Sequence, residues 1–194
     1  ILYAYVYGFR MDMSLVSYVL VLPFLFFIIQ ILFIKKAFSP WILRVYTFLP
    51  TFVFAAITVV NIPLYASWGE KISKRAILLG AGTVGGVTSS VDFGMIVQAI
   101  IILVAFFTLA HYTYHLLLVK VAKYKSHSIW LSIISLLIGA VVLFTFIRGG
   151  YGRATMNPSA VYFSDNTTSN HLAVNTYWAF LKYMTKSAKK NPYE

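Results

Sequence analysis

Four long runs without a charged side chain decide what this chain can become. Residues 13–34 carry none over 22 positions, residues 45–69 none over 25, residues 93–119 none over 27, and residues 126–147 none over 22. Crossing a hydrocarbon core of about 30 Å takes roughly 20 residues of helix. Each run is long enough. Only a helix satisfies every backbone polar group locally in lipid, so the runs predict four transmembrane helices, over about 13–34, 41–66, 93–119 and 128–147. The fold class expected is an all-α, polytopic membrane bundle. Residues 1–147 form the helical domain and 148–194 a linker that contains an amphipathic helix lying on the bilayer.

Composition agrees. Hydrophobic residues make up 60% of the 194 and charged residues 11%, with mean hydropathy +0.79. Soluble domains carry about 25% charged residues, so a water-soluble fold would lack the polar side chains to cover its surface. The net charge of +11 does not point to nucleic acid. The basic residues sit in short clusters between apolar runs and near the C-terminus, where anionic lipid headgroups are the nearer partner. With no cysteine in the sequence, disulfides and thiolate metal sites are excluded.

Taken in order, the aromatic head ILYAYVYGFRMDMS reads as an interfacial approach to the first span. Tyr3, Tyr5 and Tyr7 would lie at headgroup depth, Arg10 and Asp12 would form a surface pair, and Asp12 or Ser14 would cap the helix. Pro40 is placed to start the second helix, Asn61-Ile62-Pro63 to end or break it, and Tyr65 with Trp68 to form the opposite aromatic belt. Residues 80–85, GAGTVG, match the G-x-G-x-x-G pattern. A dinucleotide loop needs a βαβ unit and a later acidic residue, and an apolar span follows instead, so the stretch reads as a packed loop. His111 and His115 are four apart on one helical face. Zinc needs three or four ligands and no carboxylate is near in sequence, so polar anchoring near the membrane surface is the expectation.

Loop charges bear on orientation. Lys35, Lys36 and Arg44 flank the first turn and Lys120, Lys123 and Lys125 the third, while Lys71, Lys74 and Arg75 are spread along the middle connection. The counts tie at three, but the two short turns are denser, and the positive-inside rule places them in the cytoplasm. Residue 1 and the tail after Arg148 then lie outside. An external start without a signal segment implies an upstream helix, five in an intact protein of which this chain would be a piece.

After Arg148 the sequence turns polar and glycine-rich. Ser169 or Asn170 is expected to cap a helix over HLAVNTYWAFLKYMTK. Leu172, Val174, Tyr177, Trp178, Leu181 and Met184 are spaced as one apolar face on the bilayer. Arg148, Arg153, Trp178, Lys182 and Lys186 are the candidates for contact with lipid headgroups.

The segment RGGYGRATMNPSAVYFSDNTTSNHLAVNTYWAF resembles the lipoteichoic acid synthase family, membrane-anchored phosphoglycerol transferases of the alkaline phosphatase and sulfatase superfamily. The likeness rests on Arg148-Gly149-Gly150, Asn157-Pro158, Ala160, Tyr162-Phe163, Asn170-His171, Ala173, Asn175 and Trp178 to Phe180. Upstream, Tyr7-Gly8-Phe9-Arg10 with Asp12-Met13-Ser14, and residues 64–69, LYASWG, are similar to the family's second-helix entry and outer loop. The resemblance implies five helices, a linker, and an extracellular catalytic domain using a nucleophilic Thr and a divalent metal (Mn, Mg or Zn). That domain is not in this chain, so no catalytic, cofactor or metal residue is assigned here. The function implied is membrane anchor and linker of a phosphoglycerol- or phosphoethanolamine-type headgroup transferase in a bacterial plasma membrane. Its partners would be membrane lipids, anionic headgroups and its own downstream domain. The alternatives are a fragment of a transporter or channel, at which Pro50 and the glycine loop hint weakly, or a non-catalytic lipid-binding scaffold.

The orientation has a direct test in a cysteine-free chain. Lys36→Cys and Lys123→Cys should resist an impermeant thiol reagent in intact cells, and Ser159→Cys should react. Labelling at position 123 in intact cells would invert the topology.

Overall fold

The computed structural model describes residues 2–31, 40–73, 77, 92–118, 128–151 and 155–185. The lysine turns, the glycine run 80–86, Arg153 and Lys186 lie outside the described residues. Among the described residues every regular element is helical. Four helices are long and apolar enough to cross a membrane: α1 Leu2–Ile29, α2 Pro40–Trp68, α3 Phe93–Thr113 and α4 Ile129–Arg148. Helix α3 continues as a π turn, Tyr114–Leu118. The tail adds a 3-10 turn, Pro158–Val161, and two short helices, α5 Thr167–Ala173 and α6 Thr176–Thr185.

The spans associate as two antiparallel pairs, α1 with α4 and α2 with α3. In the first pair Ser14 meets Ile147, and farther along a Cβ on Gly139 would lie 2.7 Å from the Phe24 ring. In the second, Phe48 stacks on Phe107 at 5.9 Å and Arg44 lies over the Tyr114 ring. The start of α1, the end of α2, the start of α3 and the end of α4 therefore share one face of the bundle, and the tail packs there. At most 17% of the residues in any span's most apolar window are buried within the protein. The rest of that apolar surface is left for lipid.

The first span extends farther than its charge-free run. Helix α1 begins at Leu2, so the head is helix and not an approach to one. Asp12 and Ser14 lie well inside it and cap nothing. At 28 residues it is about 42 Å long at 1.5 Å per residue. Arg10 sits level with the end of α4, donating to the Gly149 carbonyl from Nε at 3.1 Å and from a terminal nitrogen at 2.7 Å. Residues 2–9 thus rise beyond the end of α4. Tyr7 stacks on Phe163 at 5.2 Å, with Tyr3 beside it. Both rings pack beside Phe163 of the tail and keep exposed surface.

Helix α2 also outruns its expected end, passing Pro50 and Pro63 to reach Trp68. Asn61 does not break it; its side-chain oxygen accepts from the Ile72 amide at 2.9 Å and catches the chain as it leaves the helix. Helix α4 ends in a Schellman arrangement. Gly149, at φ 82°, donates to Phe146 and Gly150 donates to Thr145, each at 2.9 Å, which satisfies carbonyls the helix would leave open.

Among the described residues the cluster of buried apolar side chains lies where the tail meets α1. Met11 and Leu15 of α1 pack with Met156, Val161, Val174 and Trp178 of the tail. The approach is close. A Cβ on Gly8 would stand 2.6 Å from the Ala173 carbonyl oxygen, a backbone atom that cannot step aside. Gly8→Val should therefore destabilise the protein by about 1–3 kcal/mol, read as a lower melting temperature in detergent and faster proteolysis of the tail. An unchanged melting temperature would show that α1 and α5 are not in contact.

Candidate functional site: the tail-docking face

The tail is not one amphipathic helix. It breaks at Val174-Asn175 because two asparagines start two helices. Asn166 caps α5, its side-chain oxygen accepting from the Ser169 amide at 3.1 Å, so neither Ser169 nor Asn170 is the cap. The Asn175 side-chain oxygen accepts from the Trp178 amide at 2.9 Å, the N-cap geometry, at the start of α6. Asn170 serves the preceding loop instead. Buried, it accepts from the amides of Phe163 at 2.9 Å and Ser164 at 3.0 Å, fixing residues 162–164 onto α5.

These local choices aim a row of polar groups at α1. The Trp178 indole N–H donates to Ser14 Oγ at 3.0 Å, and Ser14 donates on to the Ile147 carbonyl of α4 at 3.0 Å. Ser14 is fully buried and Trp178 nearly so. The hydroxyl proton and the lone pair facing Trp178 are both committed, so this serine connects α1, α4 and α6. One turn away, the Asn175 amide group donates to Asp12 at 2.7 Å, and its backbone N–H reaches the Met11 sulfur at 3.2 Å.

A second row engages α2. The Tyr177 hydroxyl pairs with Thr58 at 2.7 Å, and its ring lies 4.8 Å from that of Phe54. His171 Nδ1 pairs with the Tyr65 hydroxyl at 3.2 Å, the rings meeting edge to face. Just past α2, Lys71 donates to the Val174 carbonyl at the α5–α6 break. Burial pushes the Lys71 amine down to about 8, against the opposing pull of the Asp12 carboxylate.

The predicted lipid contacts fare differently. The Trp178 indole is turned onto α1 and its N–H is taken by Ser14. The apolar stripe has the expected spacing, but its centre, Val174 and Trp178, is buried by protein, while Leu172, Leu181 and Met184 stay exposed. Lys182 is exposed and lies over the Trp178 ring at 5.6 Å. Arg148 is exposed at the end of α4. His111 and His115 sit together, ring centroids 4.5 Å apart. Among the described residues no three His, Cys, Asp or Glu side chains converge as metal ligands. Sequence reasoning missed Gly8, Ser14 as a connector and Lys71. The available signal for Ser14 was a hydroxyl next to a charge at the mouth of an apolar run.

No family model, curated protein or solved structure matches the chain. Several residues between 148 and 180 shape the docking face. Gly149 and Gly150 close α4, Asn157 caps the 3-10 turn, Asn170 pins the loop, and Asn175 and Trp178 bind α1.

Two measurements check this geometry. Ser14→Ala leaves the Trp178 N–H buried without a partner and should cost about 1–3 kcal/mol. Trp178→Phe should also destabilise, and the double variant should lose less than the sum; full additivity would mean the two do not interact. The second concerns pH. The docked tail holds the Lys71 pKa near 8, below the ordinary 10.5. A lowered lysine pKa means that docking releases protons, so docking strengthens as pH rises between those values and is weakest below them. A spin label at Leu172→Cys should show a growing immobile fraction from pH 8 to pH 10, and that trend should flatten in Lys71→Met.

Proposed function

We propose that the chain is the membrane anchor and linker of a lipid-headgroup transferase of the phosphoglycerol or phosphoethanolamine type. In this reading the bundle sits in a bacterial plasma membrane with the tail extracytoplasmic, and the linker holds a downstream metal-dependent catalytic domain against the bilayer surface. The observation that carries it is the docking of the tail. Helix α6 leaves the bundle from a fixed place, held to α1 through Ser14 and Asp12 and to α2 through Thr58. A free tether would need none of these contacts. A rigid linker limits the heights and orientations that a following domain can sample, which is what reaction at headgroup level requires. The resemblance along residues 148–180 supports the same assignment. Arg148, at the end of α4, and Lys182, on α6, are exposed cations in place to meet phosphates.

Phosphodiester transfer needs a nucleophile, its activation and stabilisation of the transferring group. The acidic residues on the tail-side face, Asp12, Glu70, Asp92 and Asp165, come from four separate places in the fold. The proposal therefore gives this chain the positioning and assigns the divalent metal, as Mn, Mg or Zn, to the catalytic domain. Purified 1–194 in lipid, supplied with Mn²⁺ or Zn²⁺ and with phosphatidylglycerol and phosphatidylethanolamine, should release no diacylglycerol. Metal-dependent release above a heat-inactivated control would overturn the anchor reading, as would a stop codon directly after Glu194 in the native gene.

A further inference from the structure

The two helix pairs are joined chiefly from outside the membrane. Close backbone packing runs along α1–α4 and along α2–α3, and α1 and α2 share little of it. Within the spans one polar tie between the pairs is the Tyr46 hydroxyl, which donates to the Val19 carbonyl. At the tail-side end the bridge is the tail. Its α5–α6 corner is bonded to α1 through Trp178 and Asn175 and to α2 through Tyr177 and His171, with Lys71 at the corner itself.

From this arrangement we infer that the tail is a strap which closes the seam between α1 and α2, so that tail docking and the separation of the two helix pairs are one coupled equilibrium. The physical ground is the solvent. Apolar helices in lipid gain no hydrophobic free energy by meeting each other, whereas the tail's core is removed from water when it packs on α1. The strongest cohesion between the pairs is then applied at the membrane surface, through an element that touches both. Coupling of this kind is reciprocal. Pulling the tail away loosens the seam at its outer end, and anything that wedges α1 from α2 at that end weakens the docking. Tyr46 is the fulcrum deeper in the membrane. The inference stands on contacts within this chain and holds with or without a domain attached beyond the tail.

The test weakens the strap at its α2 end and leaves its α1 end in place. Tyr177→Ala removes the contacts to Thr58 and Phe54 and leaves Trp178 on Ser14. Thr58→Val with Tyr65→Phe is the milder alternative, deleting only hydroxyls. Paired spin labels report distances in the full chain in lipid. Phe9 with Val60 reads the outer seam, Leu25 with Val45 the inner seam, and Val60 with Ile96 the α2–α3 pair as a control of folding; all five positions are exposed. The outer-seam distribution should broaden and move to longer distance in both variants, with the inner seam and the control unchanged. If a variant keeps the control distance and the outer seam stays as narrow as in the parent, the strap does not close the seam. Should Tyr177→Ala lose the control distance, the hydroxyl-deletion variant decides.

Discussion

The structure depends on one buried hydroxyl. Ser14 lies at the mouth of the apolar run of α1, and it receives the Trp178 N–H while donating to α4. Three elements meet at that oxygen. A buried polar atom without partners carries a penalty of about 1–3 kcal/mol, so α1, α4 and α6 fit together only in the register that satisfies it. The remaining docking contacts depend on this register. Once Trp178 is seated, Asn175 stands over Asp12, and Val174 presents its carbonyl to Lys71.

How much of this was legible beforehand varies by element. Four spans could be read from charge-free runs because the bilayer excludes charge, a constraint local in sequence. The extent of α1 could not. Arg10 and Asp12 look like a boundary to any reading that equates charge with the end of a helix, yet their partners are Gly149 and Asn175, more than 130 residues away. Periodicity in the tail picked out Val174 and Trp178, which are buried, together with Leu172, Leu181 and Met184, which are exposed. A stripe containing Val174 and Trp178 fits a lipid surface as well as it fits α1. The break at Asn175 was hidden for another reason: asparagine is tolerated within a helix, and its preference for the N-cap shows only when tertiary contacts reward the turn.

The same geometry bears on the residues that prompted a family resemblance. Glycines that close a helix, asparagines that cap one, and an indole that fills a core are recruited for backbone and packing reasons. Their spacing in residues 148–180 encodes how a linker folds back on a helix bundle. Arg148 and Lys182 stand outside that core and are exposed.

Placing the largest apolar core at the membrane surface has a mechanical consequence. Inside the bilayer, lipid chains compete on nearly equal terms with helix–helix contacts, and small shifts of one pair against the other are tolerated. At the surface, separating the tail from α1 exposes Met11, Val161, Val174 and Trp178 to water, and burying side chains of this size is worth roughly 1.5–3 kcal/mol each. The stiffest part of the molecule is then the junction between span and linker. A force or ligand acting on the linker meets that junction before it meets the bundle, and what reaches the spans is decided by the contacts on α2 and just past it: Thr58, Tyr65 and Lys71.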